Sequence, residues 1–193
     1  MANQFKRIFE VDPSHLGQAQ DIADTIQQAI DPASPDFDFA RIRQAAGALP
    51  DASLVKFVPG FGLQETTPVS VLAHSLTESL RQALSRPFAN EAFWRKAEEA
   101  LTDAFVNLGA QEGSSHLAFH AESADSTSYF YDLLFALQDD ETEDSVWAVV
   151  FCLDVTLALD GAATRSLTPE DRATYAIRLN AITVRQDLRS VAA

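Results

Sequence analysis

The chain has 193 residues, 47% of them hydrophobic and 22% charged, the composition of a globular domain with a substantial core and not of a disordered segment. Its net charge of −14 repels phosphate backbones and strongly anionic lipid, which argues against nucleic acid as a partner and leaves zwitterionic or apolar surfaces open. The single cysteine, Cys152, rules out an internal disulfide framework, and its place within an apolar strand marks it as a buried small hydrophobe.

The first residues, MANQFKRIFEVDP, carry no apolar run of signal-peptide length and no small-residue cleavage pattern, so release from the cell is expected by another route. No stretch offers the roughly 18 uncharged apolar residues of a spanning helix. Residues 5–12 read as a short strand ended by Pro13. Ser14 is a plausible N-cap for a helix to Ile30, with Leu16, Ala19, Ala23, Ile26 and Ile30 on one stripe. After a turn over 31–36, which contains Pro32 and Pro35, a second helix to Leu49 places Phe39, Ile42, Ala46 and Leu49 on one face. The two helices make a hairpin over about 14–49.

Residues 52–58 are strand-like, and Pro59-Gly60-Phe61-Gly62 reads as a loop. Its Gly-x-Gly lacks the third glycine and the helix start of a nucleotide fingerprint. Pro68 suits the first position of a helix capped by Thr67, in which Val69, Leu72, Ala73, Leu76, Leu80 and Ala83 recur at helical spacing. Arg86-Pro87 ends that helix and Asn90 caps the next. Gly109 stands where a left-handed residue would close it, after a stripe of Trp94, Ala97, Leu101, Ala104, Phe105 and Leu108. This is a second hairpin, over about 68–109.

From Ser115 the period changes from helical to alternating, with strands expected over about 115–122, 126–140, 145–160 and 172–188. The middle pair is apolar on both faces. Tyr129, Tyr131, Leu133, Phe135 and Leu137 alternate with Phe130, Leu134 and Ala136. In the next strand Trp147, Val149, Phe151, Leu153, Val155, Leu157 and Leu159 alternate with Val146, Ala148, Val150 and Cys152. Such strands need cover on both sides, from helices or from lipid. In the last strand the apolar parity shifts from Tyr175, Ile177 and Leu179 to Ile182 and Val184, which suggests a bulge near Asn180 and Ala181. The pattern is that of an α+β chain: a single-domain three-layer α/β/α sandwich, its mainly antiparallel sheet flanked by two helical hairpins.

Few residues offer chemistry. His116 and His120 fall on one face of a strand with Glu122 beyond, too far apart for joint metal ligation without a further ligand. His15 and His74 have no obvious sequence partner. No Gly-x-Ser-x-Gly elbow, His-Glu-x-x-His or Walker loop is present, so neither an enzyme nor a cofactor is expected. Between the two apolar strands, Asp139, Asp140, Glu141, Glu143 and Asp144 crowd five acids into six residues. A solvated turn accounts for them. A sharper reading is a pH-sensitive tip, because mutual repulsion raises carboxylate pKa values and protonation removes the charge that keeps the tip in water.

Leu101 to Gln138 resembles the Cyt-type cytolytic delta-endotoxins of insecticidal bacteria, which carry a similar helix end, an aromatic strand and a segment like Tyr131-Asp132-Leu133-Leu134-Phe135-Ala136-Leu137-Gln138. Cys152 falls where those toxins have a cysteine in the next strand. Ala173-Thr174-Tyr175 onward to Leu188 looks like their final core strand. The likeness in element order covers nearly the whole chain.

The resemblance implies a protein made in the cytoplasm, monomeric in solution, that acts outside the cell on target membranes. It would bind phospholipid without a protein receptor, self-assemble on the membrane and permeabilise it after a helical lid is released. In this chain the inserting or lipid-binding residues would be Leu133, Leu134, Phe135, Leu137, Trp147, Val149, Phe151, Leu153 and Val155, with Leu16, Ile26 and Leu76 from the lid. The chain starts almost at its first strand and ends soon after its last, so the flanks that proteolysis removes from longer family members are expected to be largely absent. The acidic tip also departs from the family, and carrying five ionised carboxylates through hydrocarbon would cost on the order of 10 kcal/mol. The rival reading is a non-lytic binding module with an apolar ligand or lipid pocket between helices and sheet.

Overall fold

Six strands share one sheet in the order β1-β4-β5-β6-β2, with β3 also paired to β4. The strands are β1 (Lys6–Glu10), β2 (Ala52–Pro68), β3 (Leu117–Glu122), β4 (Thr127–Gln138), β5 (Ser145–Leu157) and β6 (Arg172–Asp187). The computed structural model describes residues 4–29, 38–84, 91–138 and 144–188, with the side chains of Leu54 and Val55 left aside. The expected turn over 31–36 with Ile30 before it, the Arg86-Pro87 stop, the Asn90 cap and four of the five tip acids lie outside the described residues. The chain divides into two compact units, one of residues 1–59, 132–152 and 180–193 and the other of residues 60–131 and 153–179.

In the first unit β1 runs parallel to β4, Lys6 opposite Leu133 and Glu10 opposite Leu137. A 3-10 turn, Pro13–His15, then leads into α1 (Leu16–Ala29). The cap is Asp12, not the expected Ser14: with Pro13 already inside the turn the capping place moves one residue back, and the Asp12 carboxylate accepts from the Ser14 amide at 2.9 Å. Helix α1 buries Ala19, Ile22, Ala23, Ile26 and Ala29. Helix α2 (Phe39–Ala48) is capped by Asp38 and buries Ile42 and Ala46. Both hairpin helices pack on the even-numbered residues of three strands: Leu134 and Ala136, then Val146, Ala148, Val150 and Cys152, then Ile182 and Val184. Each fully buried isoleucine in this layer contributes about 1.5–3 kcal/mol.

In the second unit, β2 does not break at Pro59-Gly60-Phe61-Gly62 but continues to Pro68. Being last in the sheet order, β2 tolerates a proline without an N–H, and Gly60 takes the φ of +56° that the irregularity needs. The helical hairpin is α3 (Val69–Leu84) and α4 (Glu91–Asp103), and α3 begins one residue after the expected Pro68. The left-handed residue after α4 is Asn107 (φ 51°, ψ 34°), not Gly109, since asparagine accepts that conformation. Gly109 instead lies in α5 (Leu108–Gln111), where an added Cβ would meet the Arg165 Cβ at 3.4 Å. Arg165 ends α6 (Gly161–Arg165), a helix too short to show a period in the sequence, which Asp160 caps by accepting from the Ala163 amide at 2.8 Å.

In β6 the parity shift near Asn180 coincides with a change in cover. Odd-numbered residues of β6 stay buried from Ala173 to Thr183, while even ones are exposed at Ala176 and Arg178 and buried from Ile182. The parity shift in hydrophobicity therefore marks where one-sided burial becomes two-sided. A register shift does occur in β3, between Phe119 and Ala121.

Candidate functional site: the central strands and their cover

Within the first unit, β4 and β5 are buried on both faces. Leu133, Leu134 and Phe135 are at most 1% exposed, Leu137 and Trp147 6%, and Val149 and Phe151 0%. The Phe135 and Phe151 rings meet edge to face at 5.7 Å. Ile26 joins the layer between α1 and the even face. Leu16 does not: at the first position of α1 it stays 38% exposed, because the buried stripe begins at Gln18 and Ala19. In the second unit Leu153, Val155 and the α3 residue Leu76 are all buried.

The cover of the first unit is tied down by polar groups that no apolar pattern reveals. Gln18, on the buried face of α1, donates from Nε2 to Gln186 Oε1 at 3.0 Å and to the Asp187 carbonyl at 2.8 Å. Gln186, fully buried, donates in turn to the Pro50 carbonyl at 2.7 Å. At the other end of α1, Gln27 accepts from the Phe5 amide at 2.8 Å, and Arg7 pairs with Asp24 at 2.7 Å. A buried relay of this kind fixes one seating of a helix whose other contacts are non-directional.

A titratable group also sits inside the unit. Asp132, on the inner strand β4, is 7% exposed. Burial pushes its carboxyl up to about 6 against the lowering effect of a hydrogen bond with Cys152. The Cys152 thiol is pushed well above its usual value, first by the same burial and then by Asp132. The only sequence signal for Asp132 is an acid within an apolar run. Of the tip acids, Asp144 is described: it is exposed, its carboxylate lies 3.4 Å from Arg185, and its carbonyl accepts from the Leu188 amide at 2.8 Å.

The second unit is braced by Arg165, which donates to Glu112 from Nε and Nη2 at 3.0 and 3.2 Å. It also donates to Glu122 from Nη1 and Nη2 at 3.0 and 2.7 Å, and it lies over the Phe119 ring at 4.2 Å. Tyr129 donates to the Ala104 carbonyl and Tyr131 to Gln111 Oε1, which anchors β4 to the turn after α4 and to α5. The two strand histidines do not share a face. His116 lies in a turn against Tyr131, whereas His120, at the register shift, stacks on Phe130, and neighbouring residues of a strand point to opposite sides. Among the described residues no cluster of three or more His, Cys, Asp or Glu side chains could hold a metal ion. No helix among them is long and apolar enough to cross a membrane.

The first unit holds apolar strands buried on both faces under amphipathic helices. The family model for Bacillus thuringiensis toxin matches residues 1–193, and the chain belongs to that family. It is 28% identical to the type-2Aa cytolytic delta-endotoxin of Bacillus thuringiensis subsp. kyushuensis, over 97% of this chain and 73% of the relative. It is 31% identical to the type-2Ba cytolytic delta-endotoxin of subsp. israelensis, over 96% and 71%. A solved delta-endotoxin superimposes with a TM-score of 0.90 at 28% identity, covering 100% of this chain and 85% of that one. The crystal structure of the activated Cyt2Ba monomer from subsp. israelensis gives 0.89 at 30%, covering 97% and 100%. The fold is thus the mixed α/β fold of those toxins, a mainly antiparallel sheet with helices on both sides, and the family is one of toxins, not of enzymes.

Proposed function

We propose that this chain is a membrane-permeabilising cytolysin that binds phospholipid from solution, releases the α1–α2 hairpin and places β4 and β5 in the bilayer. The observation that carries the reading is the length of those strands and their burial on both faces, which in β5 runs from Ser145 to Leu153 and becomes one-sided beyond it. β4 has 12 residues and β5 has 13, and about 9–11 suffice to cross the hydrocarbon. Among the described residues only Leu16 and Val71 are large exposed hydrophobics, so the closed form offers a membrane little apolar surface and the cover has to move first.

The inserting set is Leu133, Leu134, Phe135, Leu137, Trp147, Val149, Phe151, Leu153 and Val155, with Ile26 and the exposed Leu16 on the hairpin that leaves and Leu76 on the lipid-binding face of α3. A chain acting this way is made in the cytoplasm, works on the outside of a target cell and self-assembles on its membrane. The acids from Asp139 to Asp144 oppose passage of the strand tip until they are protonated or stay on the side of entry. Dye release from zwitterionic vesicles at acid, neutral and alkaline pH tests this. Release at one or more pH values is expected. Its absence at every pH, with an apolar ligand co-purifying, would mark a non-lytic binding module instead.

A further inference from the structure

The second unit carries a feature on the open face of its sheet. Its β5 and β6 segments bury one face and leave the other open: Leu153, Val155, Leu157, Tyr175, Ile177 and Leu179 are buried, while their even-numbered neighbours reach solvent. The open face holds a trough of about 520 Å³. Its lining includes the small residues Ala176 and Gly62, and an added Cβ on Gly62 would meet nothing within 4 Å. The longer polar side chains of its lining are Asp154, Arg178 and Gln64. Small residues between long ones are what makes a flat sheet concave.

The lining is chemically mixed. Asp154 stands between a cation and an imidazole, with Arg178 Nη2 at 3.5 Å from Oδ2 and His120 Nε2 at 3.4 Å from Oδ1. The His120 ring lies flat on Phe130, with centroids 4.0 Å apart and planes 14° from parallel. One carboxylate and one guanidinium cancel, so the trough has no net charge with which to hold an ion, and the −14 chain repels anions at longer range. A purely apolar ligand would strip water from Asp154 and Arg178 without replacing those hydrogen bonds. The ligand that fits is neutral, rich in paired donors and acceptors, and has one apolar side. Vicinal hydroxyls suit a carboxylate, a guanidinium and an amide in one arc, and the C–H face of a pyranose suits the apolar floor.

We infer that this trough is a binding site for the neutral terminal sugars of a surface glycan. Its open form suits the end of a longer chain better than an engulfed small molecule. The trough lies on the same β5 segment as Leu153 and Val155 of the inserting set, so the sugar is held by the closed form, before insertion. Binding is read on the closed protein without a membrane, so its failure would leave the cytolysin reading standing, and the reverse also holds.

The test is a titration of isotope-labelled protein with methyl mannoside, methyl galactoside and chitobiose, followed by amide chemical shifts. Saturable shifts at Gly62, Gln64, Thr156 and Ala176 with at least one sugar are expected. They should weaken tenfold or more in Asp154→Ala and vanish in Ala176→Trp, which fills the trough from an exposed position, with far-ultraviolet circular dichroism and the amide shifts away from the trough unchanged. No saturable response to any of the three sugars would overturn the assignment. So would a response that survives Ala176→Trp, or one seen only with phosphocholine.

Discussion

The side-chain amide of Gln18 on α1 donates a 3.0 Å hydrogen bond to that of Gln186 on β6, in a place both residues keep from solvent. This contact joins the cover of the first unit to the sheet beneath it. Gln186→Ala removes the acceptor for Gln18 and the donor for the Pro50 carbonyl, and leaving buried groups unpaired costs about 1–3 kcal/mol. The variant should unfold at lower urea and, if the hairpin is the part that moves, release dye from vesicles faster than the parent. Urea titration and leakage kinetics on the same preparation check both halves.

Asp132 should make stability fall as pH rises. Its carboxyl moves from 3.8 to about 6 on folding, chiefly by burial. Between those values the folded chain keeps a proton that the unfolded chain has lost, so stability is greatest at the acid end and declines through pH of about 4 to 6. A shift of that size corresponds to on the order of 3 kcal/mol. Asp132→Asn cannot ionise, so its stability advantage over the parent should grow across that window and level off above it. Denaturant midpoints measured from pH 4 to about 7 report the difference.

Arg165 is expected to matter for stability and little for permeabilisation. Its four bonds to Glu112 and Glu122 brace α5, β3 and α6, and they hold the Glu122 carboxyl below its usual range through the Arg165 hydrogen bond. Those carboxylates are open to solvent, so salt screens the pairs. Arg165→Met should lower the melting temperature by a few degrees at low salt and by less in molar sodium chloride. Gly161→Ala should act in the same direction, because its new Cβ would press on the Glu122 and Arg165 side chains.

Neutralising the strand tip should speed insertion at neutral pH. Replacing Asp139, Asp140, Glu141 and Glu143 by their amides removes most of the charge whose passage through hydrocarbon costs about 2.5–3.5 kcal/mol for a single aspartate at the bilayer centre. Leakage by this variant should be faster than the parent's at pH 7 and should lose its dependence on acid.

The parts of this fold that could be read from sequence are those whose signal is local. The two-sided apolar run of β4 and of β5 to Leu153, and most of the stripes of α2 and α3, are buried as expected, whereas α1 leaves Leu16 exposed and buries Ile22, which its expected stripe did not contain. Short-range chemistry that competes with a stronger prior was misread. A Pro-Gly-Phe-Gly loop signal yielded to pairing within β2 at the sheet edge, Asn107 took the conformation expected of Gly109, and five residues of α6 were too few for a period to show. What could not be read at all are contacts between distant positions. Gln18 and Gln186 are 168 residues apart, and the Asp132–Cys152 pair looks from sequence like one polar lapse and one small hydrophobe. The trough is of the same kind: Gln64, His120, Asp154 and Arg178 come from four strands, each an unexceptional polar residue on an alternating face.

Release of the α1–α2 hairpin is the central claim, and a tether tests it most directly. Phe39 on α2 and Phe57 on β2 face each other with ring centroids 3.5 Å apart and both are part-exposed. Phe39→Cys with Phe57→Cys can therefore be joined by a short reducible crosslinker, while Cys152, buried with a raised thiol pKa, is left unreacted. Dye release from zwitterionic vesicles should be abolished in the tethered protein and restored when the linker is reduced. Release at the same rate with the tether intact would contradict the account.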